Sequence, residues 1–335
     1  MIRGAAALAL CAALGAAEAA ADGLSFFRIG NGDTVGAYYP VGGLVAMAVS
    51  NPPGSAPCAE GGPCGVPGLV ASALASAGSV ENLIAVSGKV LESSFAQANT
   101  ARDAFTARGA FAGRAPMDDL RLIANLYPER VHIVVPAGSP AHSVADLAGA
   151  RIAVGQPGSG TRGDAMRLLH LAGITEDNAD LRGMGADAAA QALAAGEIDA
   201  LIYVAGAPAP VIADLAARHP VRLIPVEGDL ARAFATAEPL FTPLDFPAGI
   251  YPGSDAPVPS LSVPAQWITR AEFPDRLIYA LTRVLWNDNT MRQLAPSDLG
   301  RQLQRGYALE SLEIPLHPGA ERYYREAGLL GQDAP

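Results

Sequence analysis

Between residues 131 and 225 the chain repeats one pattern: a short apolar or β-branched run, a turn of glycine and hydroxyl residues, then a helical run. Strand-like stretches at 131–135, 151–154, 179–183, 200–204 and 221–225 alternate with helix-like stretches at 144–149, 161–172, 187–195 and 210–217. Strands and helices that alternate through short loops bury their apolar sides as a mostly parallel sheet with helices on both faces. The first part of the chain reads similarly, with strands at 24–29, 69–75, 92–97 and 120–126, a helix at 41–49 and another opening at Ser79, a natural N-cap. Residues 240–260, rich in proline and glycine, predict no regular element; a strand at 260–263, a one-sided apolar helix at 274–286 and a last helix closing at Gly328 follow. The fold class is therefore α/β.

At 335 residues and 50% hydrophobic composition the chain has enough material for two packed cores. A net charge of −10 without any basic block excludes nucleic acid and anionic membrane surfaces as partners. Residues 1–21 carry Arg3, an apolar run too short to span a bilayer and small residues at 17–21, which predicts a cleavable secretory signal. Of three cysteines, Cys11 falls in that leader. The other two stand in Pro57-Cys-Ala-Glu-Gly-Gly-Pro-Cys64 and predict a disulfide, worth roughly 2 kcal/mol from loop entropy. These features place the mature protein outside the cytoplasm.

The turn Val154-Gly-Gln-Pro-Gly-Ser-Gly-Thr161 joins a strand to a helix and so aims backbone N–H groups outward at a helix N-terminus, a seat for an anion. Proline at 157 breaks the Gly-x-Ser-x-Gly pattern of a nucleophile elbow at Ser159, and no lysine follows Gly160 as in a phosphate loop. Gly30-x-Gly32-x-x-x-Gly36 is one residue too long for a dinucleotide fingerprint. His132, His142, His170, His219 and His317 have no metal-ligand spacing, so neither metal nor cofactor is expected, and His317 reads as structural. The remaining turns at strand ends, 30–39, 79–82, 158–161 and 204–208, divide between an early and a middle part of the chain. That division suits two lobes closing on one ligand.

These turns carry a resemblance. Ile29-Gly-Asn-Gly, Ala37-Tyr-Tyr-Pro-Val-Gly-Gly43, Gly78-Ser-Val-Glu-Asn82 and Leu126-Tyr-Pro-Glu-Arg-Val-His-Ile-Val-Val135 resemble solute-binding proteins of TRAP transporters, in the TAXI branch (TRAP-associated extracytoplasmic). So do the 154–161 turn, Gly196-Glu-Ile-Asp-Ala200, Val204-Ala-Gly-Ala-Pro-Ala-Pro210, Ala248-Gly-Ile-Tyr-Pro-Gly253 and Pro315-Leu-His-Pro-Gly-Ala320 through Tyr324. The resemblance runs from about residue 25 to 330. It implies a two-lobed periplasmic binding protein fold (type II), each lobe a mostly parallel sheet flanked by helices. Residues 22–131 with 262–335 would form lobe I and 132–261 lobe II, with hinge strands at 131–135 and 261–263. It also implies a monomeric, non-catalytic receptor that delivers a small carboxylate, such as glutamate or a related C5 acid, to membrane-embedded TRAP permease subunits.

The same resemblance suggests ligand contacts at Tyr38, Ser79, Asn82, Gln97, Ser159, Gly160, Thr161, Val204, Ala205 and Gly206. The N–H groups of 160 and 161 and the hydroxyls of Ser159 and Thr161 would hold one carboxylate, with Ser79, Asn82 and Gln97 reading the other end. Two departures stand out: Asp33 and Ala37 follow the first strand where relatives carry glycine or small residues, and Asn99 replaces a common aspartate. Asp33 favours an amino-bearing ligand if it faces the cleft. A periplasmic hydrolase using Ser159, or a binding protein for a sensor or ABC importer, are the alternatives.

Overall fold

The computed structural model describes residues 24–331. The predicted signal segment lies outside the described residues. In chain order the strands are β1 (Ser25–Gly30), β2 (Ser50–Asn51), β3 (Val66–Pro67), β4 (Leu69–Leu74), β5 (Ser93–Gln97) and β6 (Leu120–Pro136). Then come β7 (Arg151–Ala153), β8 (Asp180–Arg182), β9 (Ala200–Ala205), β10 (Val221–Leu223), β11 (Thr242–Pro243) and β12 (Leu261–Arg270). The helices are α1 (Tyr38–Val49), α2 (Ser79–Ser87), α3 (Ala98–Phe105), α4 (Gly160–Leu171) and α5 (Ala186–Ala194). They continue with α6 (Pro210–Arg218), α7 (Gly228–Ala237), α8 (Asp275–Leu285), α9 (Asp288–Leu294) and α10 (Pro318–Glu326).

One sheet runs through the molecule in the order β4-β1-β5-β12-β6-β9-β7-β8, with β10 on β6 and β11 on β12. Its two ends are parallel blocks, β4-β1-β5 and β9-β7-β8. Between them β12 runs antiparallel to both β5 and β6, and β6 antiparallel to β9. The result is a two-lobed α/β fold, each lobe a mostly parallel sheet flanked by helices, joined by two long strands. Helices α1 and α2 lie on the first block and α4 and α5 on the second.

The two-strand connection is longer than the sequence predicts. The stretches at 120–126 and 131–135 merge into the single 17-residue β6, and the strand expected at 260–263 continues to Arg270. Pro128, which breaks the apolar run in the sequence, sits directly opposite Pro264 in the ladder. Neither residue has an N–H to satisfy, so the two prolines share the place where a donor is not required. Every residue of β12 is buried. Most of its polar groups are partnered: Gln266 donates to Asn125 (2.9 Å), Thr269 to the Glu92 carbonyl (2.8 Å) and Arg270 to the Val86 and Leu91 carbonyls (2.7 and 2.6 Å), while Gln266 Oε1 accepts from no donor.

Other differences are local. Gly78, not Ser79, caps α2, because φ of 123° with ψ of −153° is open to glycine alone, and Ser79 becomes the first helical residue. Helices α3, α7 and α9 have no counterpart in the sequence reading. The 240–260 segment is mostly irregular but does supply β11 and a bridge between Phe246 and Val258. Cys58 and Cys64 form the expected disulfide, in a loop bracketed by the parallel β2–β3 pair. His317 is structural as predicted: its Nδ1 accepts from the Gly319 N–H (3.1 Å) and so caps α10.

Candidate functional site

The turn after β7 owes its shape to two glycines in the left-handed region, Gly155 (φ 82°) and Gly158 (φ 90°). Ser159 then caps α4: its hydroxyl accepts from the Arg162 N–H (3.2 Å) and donates to the Gln156 carbonyl (2.8 Å). The Thr161 hydroxyl is likewise committed, accepting from the Val204 N–H (3.2 Å) and donating to the Val204 carbonyl (3.5 Å) on β9. Both hydroxyls therefore build the turn. The groups left to meet an anion are the N–H groups of the first helical turn, which have no acceptor inside the helix.

The opposite wall closes against this turn. The N–H groups of Val80 and Glu81, at the start of α2, both donate to the Gly158 carbonyl (3.0 and 3.1 Å). Gln156 Nε2 reaches the Ala77 carbonyl (3.3 Å), and Ser79 Oγ accepts from the Gln97 N–H (3.1 Å) at the end of β5. The two lobes touch, and between them lies a cavity of about 60 Å³. At roughly 10–15 Å³ per water centre that is space for about five waters, the scale of a small solute.

Eight of the residues singled out from the sequence line this cavity: Asp33, Tyr38, Ser79, Gln97, Ser159, Gly160, Thr161 and Val204. Asp33 is half-buried and faces the cleft, with Oδ2 3.0 Å from where a Cβ on Gly185 would stand. Asn82, Ala205 and Gly206 are not brought to it. Asn82 is fully buried and donates to the Asn31 and Phe95 carbonyls, so it ties β1 to β5. Ala205 pairs with Arg130 in the β6–β9 ladder. Gly206 packs so tightly on Tyr127 and Leu299 that a Cβ would come within 2.8 Å of each.

The structure adds cavity residues that the sequence reading passed over, foremost Glu129, with Tyr203 and Gln156. Glu129 on β6 is 2% exposed and accepts a 2.7 Å hydrogen bond from the Tyr38 hydroxyl. Burial pushes the Glu129 carboxyl well above the usual range, against the lowering effect of the Tyr38 bond, and the nearby Asp164 adds to the rise. Arg130, next in the chain, turns to the other side of the strand: its Nε donates to the Asp245 carbonyl (3.1 Å) and its guanidinium lies over Phe246. Neither lysine nor arginine is among the described residues lining the cavity. Tyr203, from β9, reaches across to the loop before α1, where its hydroxyl stands 2.7 Å from the place a Cβ on Gly36 would take.

A second seam lies beside the first, along a cavity of about 330 Å³ between α3 and α4. Arg102 donates to Glu238 (2.8 Å) and Asp103 (3.2 Å), while Arg167 pairs with the same Glu238 and lies 3.7 Å from Asp103. Asn99 Nδ2 donates to Asp164 Oδ1 (2.6 Å), and burial raises the Asp164 carboxyl to about 7.

Two parallel blocks meeting over a cavity, with polar turns from each at its walls, define a two-lobed α/β protein with an inter-lobe cleft. The chain belongs to the NMT1-like family, which it matches over residues 29–328. Among solved structures it is similar to the alkanesulfonate-binding protein SsuA from Xanthomonas axonopodis pv. citri, bound to MOPS, at 17% identity over 90% of this chain and 84% of that one (TM-score 0.45). It is also similar to the periplasmic aliphatic sulphonate binding protein SsuA from Escherichia coli, at 15% identity over 90% and 83% (TM-score 0.46). An ancestral arginine-binding protein bound to arginine matches at 12% identity over 79% and 94% (TM-score 0.46).

Proposed function

We propose that this protein is an extracytoplasmic solute receptor that captures a small carboxylate such as glutamate or a related C5 acid in the inter-lobe cavity. The observation that carries the reading is the cavity itself, which lies where the Gly155–Thr161 turn meets the start of α2 and the end of β5. The ligand carboxylate sits at the N-terminus of α4, held by the Gly160 and Thr161 N–H groups. Lobe I is residues 22–131 with 262–335 and lobe II is 132–261, and β6 and β12 carry the motion that opens and closes them. On the TAXI resemblance, the loaded receptor docks on TRAP permease subunits in the membrane and works as a periplasmic monomer. Permease genes beside this one separate a TRAP partner from an ABC importer.

The Ser159 hydroxyl spends its hydrogen bonds on capping α4, which supports binding over nucleophilic chemistry at this turn.

The test is Gly160→Ala. A methyl there runs into Gln97 Oε1 across the cleft and comes within 2.9 Å of Ser79 Oγ, so the lobes are held apart while each still folds. Ligand-stripped wild type should gain thermal stability with organic acids or amino acids by mass action. The variant should bind the same solute at least tenfold more weakly, with a melting temperature when empty close to that of wild type. Undiminished affinity would remove this turn from the site.

A further inference from the structure

The cavity is lined by carboxylates without a countercharge. Glu129 is 2% exposed, and the hydrogen bond it accepts comes from the neutral hydroxyl of Tyr38. Asp33 faces the same space from the loop before α1. Gln97, also 2% exposed and also lining the cavity, has an Oε1 with no hydrogen-bond donor. Three elements thus present acceptors to one small volume, and the nearest arginine in sequence, Arg130, is engaged on the far side of β6. A buried acceptor without a donor is costly, and a buried carboxylate without a cation more so. Such an arrangement is stable only if a bound group supplies the N–H bonds and positive charge, or if the carboxyl holds a proton while the site is empty.

Resting on the receptor reading above, we infer that the solute carries an ammonium group, which seats between Glu129, Gln97 and Asp33, so that the receptor selects amine-bearing acids and refuses their deaminated counterparts. The ligand is then a compact zwitterion with its carboxylate at the α4 N-terminus and its ammonium on the Glu129 side. A plain dicarboxylate would bring a second negative charge to a wall that already holds two carboxylates and lacks any cation to receive it. The preference is set by unpaired groups, the means by which buried polar sites discriminate most strongly.

Capture is also coupled to a proton. The titratable groups around Glu129 are Tyr38 from α1, Tyr127 on its own strand, Tyr203 from β9, Asp164 from α4 and Tyr307; none of them is a cation at neutral pH. Burial draws the Glu129 carboxyl toward its protonated form, and an ammonium seated beside it favours the ionised form, so capture by this group favours release of a proton.

The experiment titrates the full mature protein, stripped of ligand, with pairs matched in carbon skeleton: L-glutamate against glutarate, and 4-aminobutyrate against butyrate, by calorimetry in two buffers of different ionisation enthalpy. The amine-bearing member of a pair should bind at least tenfold more tightly and release a proton. Glu129→Gln, which mimics the protonated carboxyl, should keep the empty protein's melting temperature, abolish the proton release and reduce the amine preference by at least tenfold. The wild-type titrations carry the inference even if that variant fails to fold. Glutarate binding as tightly as glutamate, or an unchanged preference in Glu129→Gln, overturns the ammonium site and leaves the receptor reading standing. Failure of organic acids and amino acids alike to bind overturns both.

Discussion

The two seams between the lobes bury carboxylates in opposite ways. Around Glu238 the negative charge meets two guanidiniums, Arg102 and Arg167, and Asp103 shares both of them. Around Glu129 it meets a tyrosine hydroxyl and empty space. A paired charge is a completed structural element, and its removal strands its partners. An unpaired one is unfinished business for the fold, and becomes useful only when something arrives from outside. The contrast separates a seam that fixes how α3, α4 and the end of α7 fit together from one that, on the proposed function, receives a solute.

Breaking the completed seam should have the largest effect. Glu238→Ala leaves Arg102 and Arg167 without their shared partner and should cost about 3 kcal/mol in urea unfolding, since removal of one member strands the rest. A loss no greater than that of an exposed ion pair would mean the cluster is not structural. Asn99→Asp is smaller and sharper. It replaces the donor to Asp164 with a second carboxylate at the same short distance, so one of the two must hold a proton. We expect a destabilisation of about 1–2 kcal/mol at pH 8 that shrinks at pH 5; equal losses at the two pH values would count against the charge explanation.

A third test concerns Asp164 alone. Its folded carboxyl is raised to about 7, above the roughly 3.9 of an unfolded aspartate. Between those values the folded state keeps a proton that the unfolded chain has lost, so its contribution is present at low pH and disappears as pH climbs toward 7. Asp164→Asn keeps the acceptor for Asn99 and removes the titration. The melting temperature of wild type should therefore fall relative to the variant between pH 5 and 8. Superimposable profiles would show that Asp164 is already ionised at pH 5.

Much of the fold was legible because its periodicity is simple. The parallel blocks came from alternating strand and helix runs, and the turn at 154–161 from its glycines and helix position. Helix α3 was hidden because its buried positions include Asn99, Thr100 and Asp103, so its inward side does not look apolar. Glu129 was hidden for a related reason. An acid beside a proline between two apolar runs reads as a break between strands, and only the pairing of Pro128 with Pro264 reveals that the strand continues and carries the acid inside. Asn82 was legible as a polar residue at a turn but not as a tie between strands, because side-chain direction within a helix's first turn is decided by packing.

The continuity of β6 and β12 bears on how the lobes can move. A connection made of coil folds at any of several bonds, whereas a ribbon of two paired strands has no slack. Shearing the ribbon would break its ladder; twisting it leaves the bonds intact. Its irregular places are the register shifts opposite Ala265/Gln266 and Trp267/Ile268, where β6 carries the extra residues Leu126 and Ile123. On the proposed function, the two paired strands act as a torsion bar between the lobes, open to rotation about its long axis and resistant to sliding.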